Sequence, residues 1–188
     1  VGQVTVAAVA APRLAPDLRP ADSRTGSVVV AVRGQGAWVR PLTGGAERRL
    51  AVSPGSDPVQ ARLVSSVEEA HTNAAQLARI CQRLGVGAAP TRLDSQAKYL
   101  VVAGGQADLL IRLLPQRLPS YKEKVWDVAA GMLVVEEAGG RVTDLDDKPL
   151  AAVVRLPLAP AGLGERAWDA SPEFTLRVPP GEYVVEAE

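Results

Sequence analysis

Two patterns of apolar and polar residues divide the chain near residue 60. Before this point, short runs of β-branched residues separated by proline and glycine predict strands at 1–9, 27–33, 37–40 and 48–53. Their short connections favour antiparallel pairing. No helical spacing accompanies these strands, so we expect no helix from this part of the chain to cover the sheet.

After residue 60, apolar runs alternate with segments of helical spacing. Strands are predicted at 61–65, 91–94, 107–114 and 141–145, and helices ending at 84, 103 and 138. The first of these helices has two candidate starts: Ser66, with capping-box spacing to Glu69, or Thr72 as the cap of a shorter helix. Gly85 is a suitable residue to end it. The alternation predicts an α/β layer with a mostly parallel sheet.

A third pattern begins after residue 150. This segment is rich in proline, and the runs 174–178 and 182–186 predict a β-hairpin around Pro179-Pro180-Gly181. The chain therefore divides into an antiparallel sheet at 1–60, an α/β domain at 61–150 and an atypical tail at 151–188. The expected fold class is α/β, or α+β when the whole chain is considered.

The amino-acid composition argues against several classes of binding partner and of fold. The 188 residues include 21 basic and 21 acidic side chains, so no overall field attracts a nucleic acid polymer or an anionic membrane. No apolar run approaches the ~20 residues of a membrane span. The single cysteine, Cys81, excludes an internal disulfide framework. Recognition of phosphate would therefore need a local cluster of residues.

The segment Asp94-Ser95-Gln96-Ala97-Lys98-Tyr99 lies where a predicted strand runs into a predicted helix. Backbone N–H groups at such a junction, with Ser95 and Lys98 beside them, suit a phosphate group. The alternative is structural: Asp94 or Ser95 only caps the helix, and Lys98 is solvated. Spacing by itself favours this alternative.

Two further residues have both a functional and a structural interpretation. Asp127, at the start of a predicted helix, could face a cation, or it could only cap a core helix. His71 is the only histidine, and a lone histidine is more often structural than catalytic. One histidine and one cysteine do not support a zinc site or a Cys–His dyad.

Together these segments resemble the 3′(2′),5′-bisphosphate nucleotidases of the inositol monophosphatase superfamily. The resemblance rests on motifs in matching order, namely VEEAH at 67–71, DSQAKY at 94–99, ADLLIRL at 107–113, YKEKVWD at 121–127, AAG at 129–131 and EAGG at 137–140. The run AVRGQGAW at 31–38 is similar to a sheet in the first domain of the same family. The implied fold is inositol monophosphatase-like, with a partial first-domain sheet followed by the α/β layer.

The resemblance implies a magnesium-dependent phosphomonoesterase that removes the 3′-phosphate of adenosine 3′,5′-bisphosphate and gives AMP. By position, Asp127 would be a ligand of Mg²⁺, and the nucleotide would be held by His71, Ser95, Lys98 and Arg112. Lys98 and Arg112 are cations that can pair with phosphate. The expected partner is therefore a small nucleotide and the expected location is the cytoplasm.

The sequence also departs from the family pattern. The family's upstream glutamate and D-P-x-D-G-T motif, which supply its other metal ligands, are not found in the 188 residues. Asp57-Pro58-Val59-Gln60 matches only the first letters of that motif and follows the sheet strands. One carboxylate is a poor Mg²⁺ site, so no catalytic residue is assigned and the isolated chain is expected to be inactive.

Three alternatives follow from these departures. The chain could be the C-terminal portion of a nucleotidase, a non-catalytic relative that binds a nucleotide or a protein, or an inositol phosphate phosphatase. Val128 replaces the histidine usual in nucleotidases, whereas inositol monophosphatases commonly have valine there. The sheet at 1–53 is expected to expose an apolar face and to promote association.

Overall fold

A computed structural model describes residues 3–20, 25–68, 73–112, 125–144 and 147, together with the backbone of 174–177 and 182–185. The first sheet contains four antiparallel strands in chain order: β1 Val6–Ala11, β2 Ser27–Val32, β3 Gly36–Pro41 and β4 Arg48–Arg49. Side chains alternate across it, so that one face contains the buried residues Ala7, Val29, Ala31 and Val39.

Two strands of this sheet differ in extent from the prediction. β1 lies at Val6–Ala11 rather than 1–9, because it pairs residue by residue with the six residues of β2. The strand predicted at 48–53 ends at Arg49. The Leu50 amide still donates to the carbonyl oxygen of Ala37 at 2.8 Å, whereas the Val52 amide donates to that of Ala138 at 3.0 Å. Tertiary pairing therefore set both boundaries.

The second sheet contains three parallel strands in the order β6-β5-β7. They are β5 Leu63–Ser65, β6 Thr91–Arg92 and β7 Leu109–Leu110, connected by helices α1 Ala74–Leu84 and α2 Ala97–Ala103. A 3₁₀ turn at Pro58–Gln60 precedes β5. This alternation confirms the α/β layer.

The start of α1 differs from both predicted starts. Ser66 is buried after β5, outside the helix, and the Oδ1 of Asn73 accepts a hydrogen bond from the Gln76 amide at 3.1 Å. An asparagine in this position satisfies one of the free amides of the first turn. The predicted end is confirmed, since Gly85 has a φ of 72° and follows Leu84.

Helix α3, Val125–Glu137, covers the buried face of the first sheet and also packs against α2. Gly131 to Val135 are five consecutive buried residues, as in a helix enclosed on all sides. The pattern of residues 1–60 predicts no covering helix from that part of the chain, and the helix that covers the sheet comes instead from residues 125–137. The helix comes from far along the sequence, where local periodicity gives no information about its partner.

The C-terminal end of α3 is joined to the β2–β3 turn. The Glu137 carboxylate accepts hydrogen bonds from the amides of Gly34 and Gly36, both at 2.8 Å. Arg33 donates to the Glu136 carboxylate at 2.6 Å. The two glutamates of the EEAGG segment therefore fix the turn that the RGQG sequence forms.

An ion pair joins the residues that precede β5 and β7. Arg62 donates to both oxygens of the Asp108 carboxylate, at 3.0 Å from Nε and 2.8 Å from Nη2, and its backbone amide also donates at 2.7 Å. These hydrogen bonds lower the pKa of Asp108 to about 2. The pair fixes the amino-terminal edge of the parallel sheet.

One large hydrophobic core joins the first sheet to α2, α3 and Val64 of β5. A smaller cluster around Leu63 and Leu77 lies beneath α1. The tail forms the predicted hairpin, with β8 Phe174–Arg177 antiparallel to β9 Glu182–Val185. In the part of the chain that the structure describes, no helix combines the length and apolar character needed to cross a membrane.

Candidate functional site

The predicted site segments follow the carboxyl ends of the three parallel strands. Ser66 to Glu68 follow β5, Leu93 to Gln96 follow β6, and Ile111 and Arg112 follow β7. Carboxyl ends of parallel strands meet at one edge of a sheet, which is where open α/β sheets bind their ligands. Three segments that lie far apart in the sequence therefore meet at this edge.

Asp94 connects the first two of these segments. Its Oδ1 accepts a hydrogen bond from the Val67 amide at 3.1 Å, and Arg92 Nη2 donates to the Val67 carbonyl oxygen at 2.9 Å. The amide and the carbonyl group of Val67 are thus held by two side chains, one from the end of β6 and one from the loop that follows it. The Asp94 side chain thus bonds to the segment after β5, so the structure does not support its interpretation as a simple helix cap.

Ser95 has an unusual backbone conformation, with a φ of 62°. This left-handed region costs a non-glycine residue about 1–2 kcal/mol. The side chain is exposed, and its Oγ accepts a long hydrogen bond from the Ala97 amide at 3.4 Å. The hydroxyl therefore lies at the surface of the turn, accessible to a ligand.

Gln96 is the last residue of the turn Asp94-Ser95-Gln96, here called the DSQ turn, and connects it to the start of α3. Its Nε2 donates to the Trp126 carbonyl oxygen at 3.0 Å, and its Oε1 accepts from the Gly131 amide at 3.0 Å. Asp127, the residue after Trp126, is half-buried in the first turn of α3. A single side chain thus sets the distance between the DSQ turn and the segment that contains Asp127.

Two cations belong to the same region of the fold. Lys98 lies in α2 and is only 1% exposed, so the alternative in which it is a solvated surface residue is wrong. Arg112 follows β7 and is half-buried. The structure does not describe residues 69–72, so the prediction for His71 lies outside the described residues.

A cavity of about 750 Å³ lies between the end of β1 and the DSQ turn. It is lined by residues 9–14, Pro20 and residues 93–97. Most of these side chains are apolar, with Arg13, Asp94, Ser95 and Gln96 as the polar ones. Small-molecule sites of ~300–1,000 Å³ commonly combine apolar walls with a few polar groups in this way.

The described residues contain no cluster of metal-ligating side chains around Asp127. Among them, no three histidine, cysteine, aspartate or glutamate side chains are close enough to share a metal ion. Asp127 supplies one carboxylate, whereas Mg²⁺ requires octahedral coordination by oxygen ligands. No chemical step is therefore assigned to a metal.

The roles of Asp94 and Gln96 were not predicted from the sequence. The sequence predicts the strand-to-helix junction, with Asp94 or Ser95 as a cap or with Ser95 and Lys98 beside a phosphate, and it assigns no role to Gln96. Their partners, Val67 and Trp126, are 27 and 30 residues away, respectively. Only the tertiary structure could identify such contacts.

Comparison with known proteins gives consistent results. Residues 1–173 match the inositol monophosphatase family. A 3′(2′),5′-bisphosphate nucleotidase of Emericella nidulans is 42% identical over 123 residues, which are 64% of this chain and 34% of that protein. The corresponding protein of Schizosaccharomyces pombe is 36% identical over 154 residues, 79% of this chain and 42% of that protein.

A plant relative, the 3′,5′-bisphosphate nucleotidase AHL of Arabidopsis thaliana, is 41% identical over 130 residues, 66% of this chain and 34% of that protein. The chain thus spans between a third and a half of the length of these relatives. Among solved structures, Mycobacterium tuberculosis SuhB has a TM-score of 0.47 at 24% identity, with 62% of this chain and 44% of that chain covered. The match over residues 1–173 and the identities to curated relatives establish that the chain belongs to the inositol monophosphatase family.

Proposed function

We propose that this chain is the nucleotide-binding portion of a 3′(2′),5′-bisphosphate nucleotidase. The family match and the names of its relatives support a phosphatase that acts on a nucleotide bisphosphate. The proposed substrate is adenosine 3′,5′-bisphosphate, with AMP and phosphate as products.

The observation that carries this proposal is the convergence of the three strand-end segments at one edge of the parallel sheet, where the segment after β6 also lines the cavity. A bisphosphate nucleotide needs cations for its phosphates and an apolar surface for its base. Arg112 and Lys98 supply cations in the α/β layer, and the walls at 9–14 and 93–97 supply the apolar surface. Charge-assisted hydrogen bonds to phosphate are about twice as strong as neutral ones.

In the proposed complex, Lys98 and Arg112 bind phosphate oxygens, and the Ser95 hydroxyl donates a hydrogen bond to the nucleotide. His71 belongs to the same proposal through the family resemblance. Mg²⁺ is the proposed cofactor of the complete enzyme, where it would neutralise charge on the phosphoryl oxygens. Asp127 is the residue of this chain proposed to contribute to its binding.

A second candidate is an inositol phosphate phosphatase. Val128 favours it, because this position in α3 is commonly valine in inositol monophosphatases and histidine in nucleotidases. The apolar cavity walls favour the nucleotide, since an inositol ring presents hydroxyl groups on all its edges. The two candidates therefore predict opposite ligand preferences.

Calorimetry with adenosine 3′,5′-bisphosphate and with inositol 1-phosphate tests the proposal. We expect binding of the nucleotide and at least a tenfold loss of affinity in a Lys98→Met/Arg112→Lys variant, since bonds to charged groups contribute ~1.5–3 kcal/mol each. Arg79→Ala on the exposed side of α1 is the control and should bind as the wild type does. Equal affinity of the double variant would contradict the site, and preference for the inositol phosphate would favour the second candidate.

The same preparation tests the expected inactivity of the isolated chain. Because the described residues contain no cluster of metal-ligating side chains around Asp127, we expect no magnesium-dependent release of phosphate from adenosine 3′,5′-bisphosphate. A colorimetric phosphate assay with and without Mg²⁺ measures this. Phosphate release that EDTA abolishes would show that the chain alone contains a complete catalytic site.

A further inference from the structure

We propose that Asp94 and Gln96 are positioning residues for the nucleotide site. Their hydrogen bonds connect the DSQ turn to the β5 loop (residues 66–68) and to α3, and we call this pair of contacts the brace. This inference rests on the proposed function, because it assumes that Ser95 contacts the nucleotide. Neither side chain needs to contact the nucleotide for this role. Each acts by holding the backbone of the segments on either side of Ser95.

The first half of the brace is the contact between Asp94 and the β5 loop. The Val67 amide donates to Asp94 at 3.1 Å while the Val67 carbonyl accepts from Arg92 at 2.9 Å. Val67 itself is 51% exposed, so burial of its side chain does not hold this loop. Arg92 at the end of β6 and Asp94 in the loop that follows therefore determine the position of Val67, two residues after β5 ends.

The second half is the contact between Gln96 and α3. The Gln96 amide group is used at both ends, as a donor to Trp126 and as an acceptor from Gly131, each at 3.0 Å. These two partners are on successive turns of the helix. The contact therefore fixes both the distance and the rotation of the start of α3 relative to the DSQ turn.

The conformation of Ser95 gives an independent reason to assign a role to this brace. A serine with a φ of 62° is strained, and such strain persists only where neighbouring contacts determine the backbone. Asp94 and Gln96, the residues immediately before and after Ser95, have long-range partners whose contacts determine the backbone there. Strained residues concentrate at ligand-binding sites, where the surrounding structure holds them in a binding conformation.

Hydrogen exchange and calorimetry on the full chain test this proposal. Asp94→Ala should raise the rate of amide exchange at Val67 at least tenfold and leave the rate at Gly131 unchanged. Gln96→Ala should raise the rate at Gly131 and leave the rate at Val67 unchanged. Each variant should also weaken binding of adenosine 3′,5′-bisphosphate by about tenfold, since small displacements of positioned groups cost that much or more. Asp94→Asn keeps the Oδ1 acceptor and should retain most of the affinity.

Asp57 and Gln60 provide matched controls elsewhere in the chain. Asp57 also accepts a backbone hydrogen bond, from Val59 at 3.0 Å, and Gln60 donates to it at 3.0 Å. Asp57→Ala and Gln60→Ala should leave nucleotide affinity unchanged. If Gln96→Ala does not fold, Gln96→Glu, which keeps the Oε1 acceptor, should keep Gly131 protected and still weaken binding.

The outcomes separate the two proposals. Nucleotide binding by the wild type with unchanged affinity in the Asp94 and Gln96 variants would overturn the brace and leave the proposed function intact. If the wild type does not bind the nucleotide, the proposed function is wrong and the positioning role falls with it. In that case, changed exchange at Val67 and Gly131 would still confirm the two contacts as structural ones.

Discussion

Gly131 allows α2 and α3 to approach each other more closely than a side chain would permit. A Cβ at this position would contact the ring of Tyr99 and would lie 2.5 Å from Gln96 Oε1. The Tyr99 ring is buried and cannot move aside freely. The small residue in the AAG motif is therefore required by packing.

Gly131→Ala should lower the free energy of unfolding by about 1–3 kcal/mol, as overpacking of a core does. Urea denaturation measures this change. Gly87→Ala is the matched control, because a Cβ at Gly87 meets nothing within 4 Å. A Gly131→Ala variant as stable as the control would contradict the packing described for α2 and α3.

The Arg62–Asp108 pair predicts a dependence of stability on pH. The pKa of Asp108 is lowered to about 2 from 3.8, so the carboxylate stabilises the fold above its unfolded pKa and loses that contribution as pH falls from about 4 to 2. Solvent around the half-exposed Arg62 limits the effect to about 1 kcal/mol at neutral pH. Asp108→Asn should be less stable than the wild type at pH 7, and the difference should vanish near pH 2. A constant difference across this range would exclude Asp108 ionisation as its source.

At the scale of secondary-structure elements, hydrogen bonds between the end of α3 and the β2–β3 turn constrain the first sheet locally. The Glu137 carboxylate accepts hydrogen bonds from two backbone amides of this turn, those of Gly34 and Gly36. Gly34 and Gly36 have φ values of 76° and 112°, which only glycine adopts easily. The turn therefore needs its two glycines for this conformation, and it needs Glu137 at the end of α3 to accept hydrogen bonds from their amides.

Glu137→Ala should expose the amides of Gly34 and Gly36 to exchange and reduce stability by about 1–3 kcal/mol, the usual loss when a charged acceptor is removed. Hydrogen exchange followed by NMR measures the two amides directly. Glu47→Ala, an exposed glutamate before β4, is the control. Unchanged protection of both glycine amides would contradict the role assigned to Glu137.

The sequence predicted the secondary structure better than the contacts between elements. Local patterns identified β2, β3, α3, the tail hairpin and the end of α1 at Gly85, because periodicity and turn residues are encoded locally. The short strands β4, β6 and β7 were predicted too long, since their ends depend on tertiary contacts such as the bond from Val52 to Ala138.

The candidate site was predicted only in part. The DSQAKY motif and the resemblance to a family identified Ser95, Lys98, Arg112 and Asp127, and their assignment to the nucleotide and the metal remains a prediction. Sequence alone favours solvation of Lys98, because a lysine near a helix start is usually exposed. Lys98 is nevertheless buried, and it lies in a helix that packs against α3, which is distant in sequence.

At the scale of the whole molecule, the first sheet has one covered face and one face that the described residues leave open. The open face contains Ala8, Ala10, Val28, Val30 and Val32 in alternation with the buried residues. Val6 at its margin is 40% exposed. Among the described residues, the side chains of this face are exposed in β1 and half-buried in β2, and the expectation of an exposed apolar face stays a prediction.

We expect this face to bind a second copy of the chain at high concentration, because contiguous apolar surface promotes association. Sedimentation velocity over a hundredfold range of concentration should show a concentration-dependent increase in mass. Ala8→Lys should reduce it, whereas Val59→Lys, at an exposed site outside the sheet, should not. A monomer at all concentrations would contradict the expectation.

The position of α3 in the sequence has a consequence for synthesis of the protein. The four strands of the first sheet leave the ribosome well before residues 125–137, which cover one of its faces. At ~5–20 residues per second, this interval is on the order of 4–17 s. During this time both faces of the nascent sheet are open to water, and the chain is most exposed to mispairing with its neighbours or to capture by chaperones. Any change that delays translation of the second half would lengthen this period without altering the folded protein.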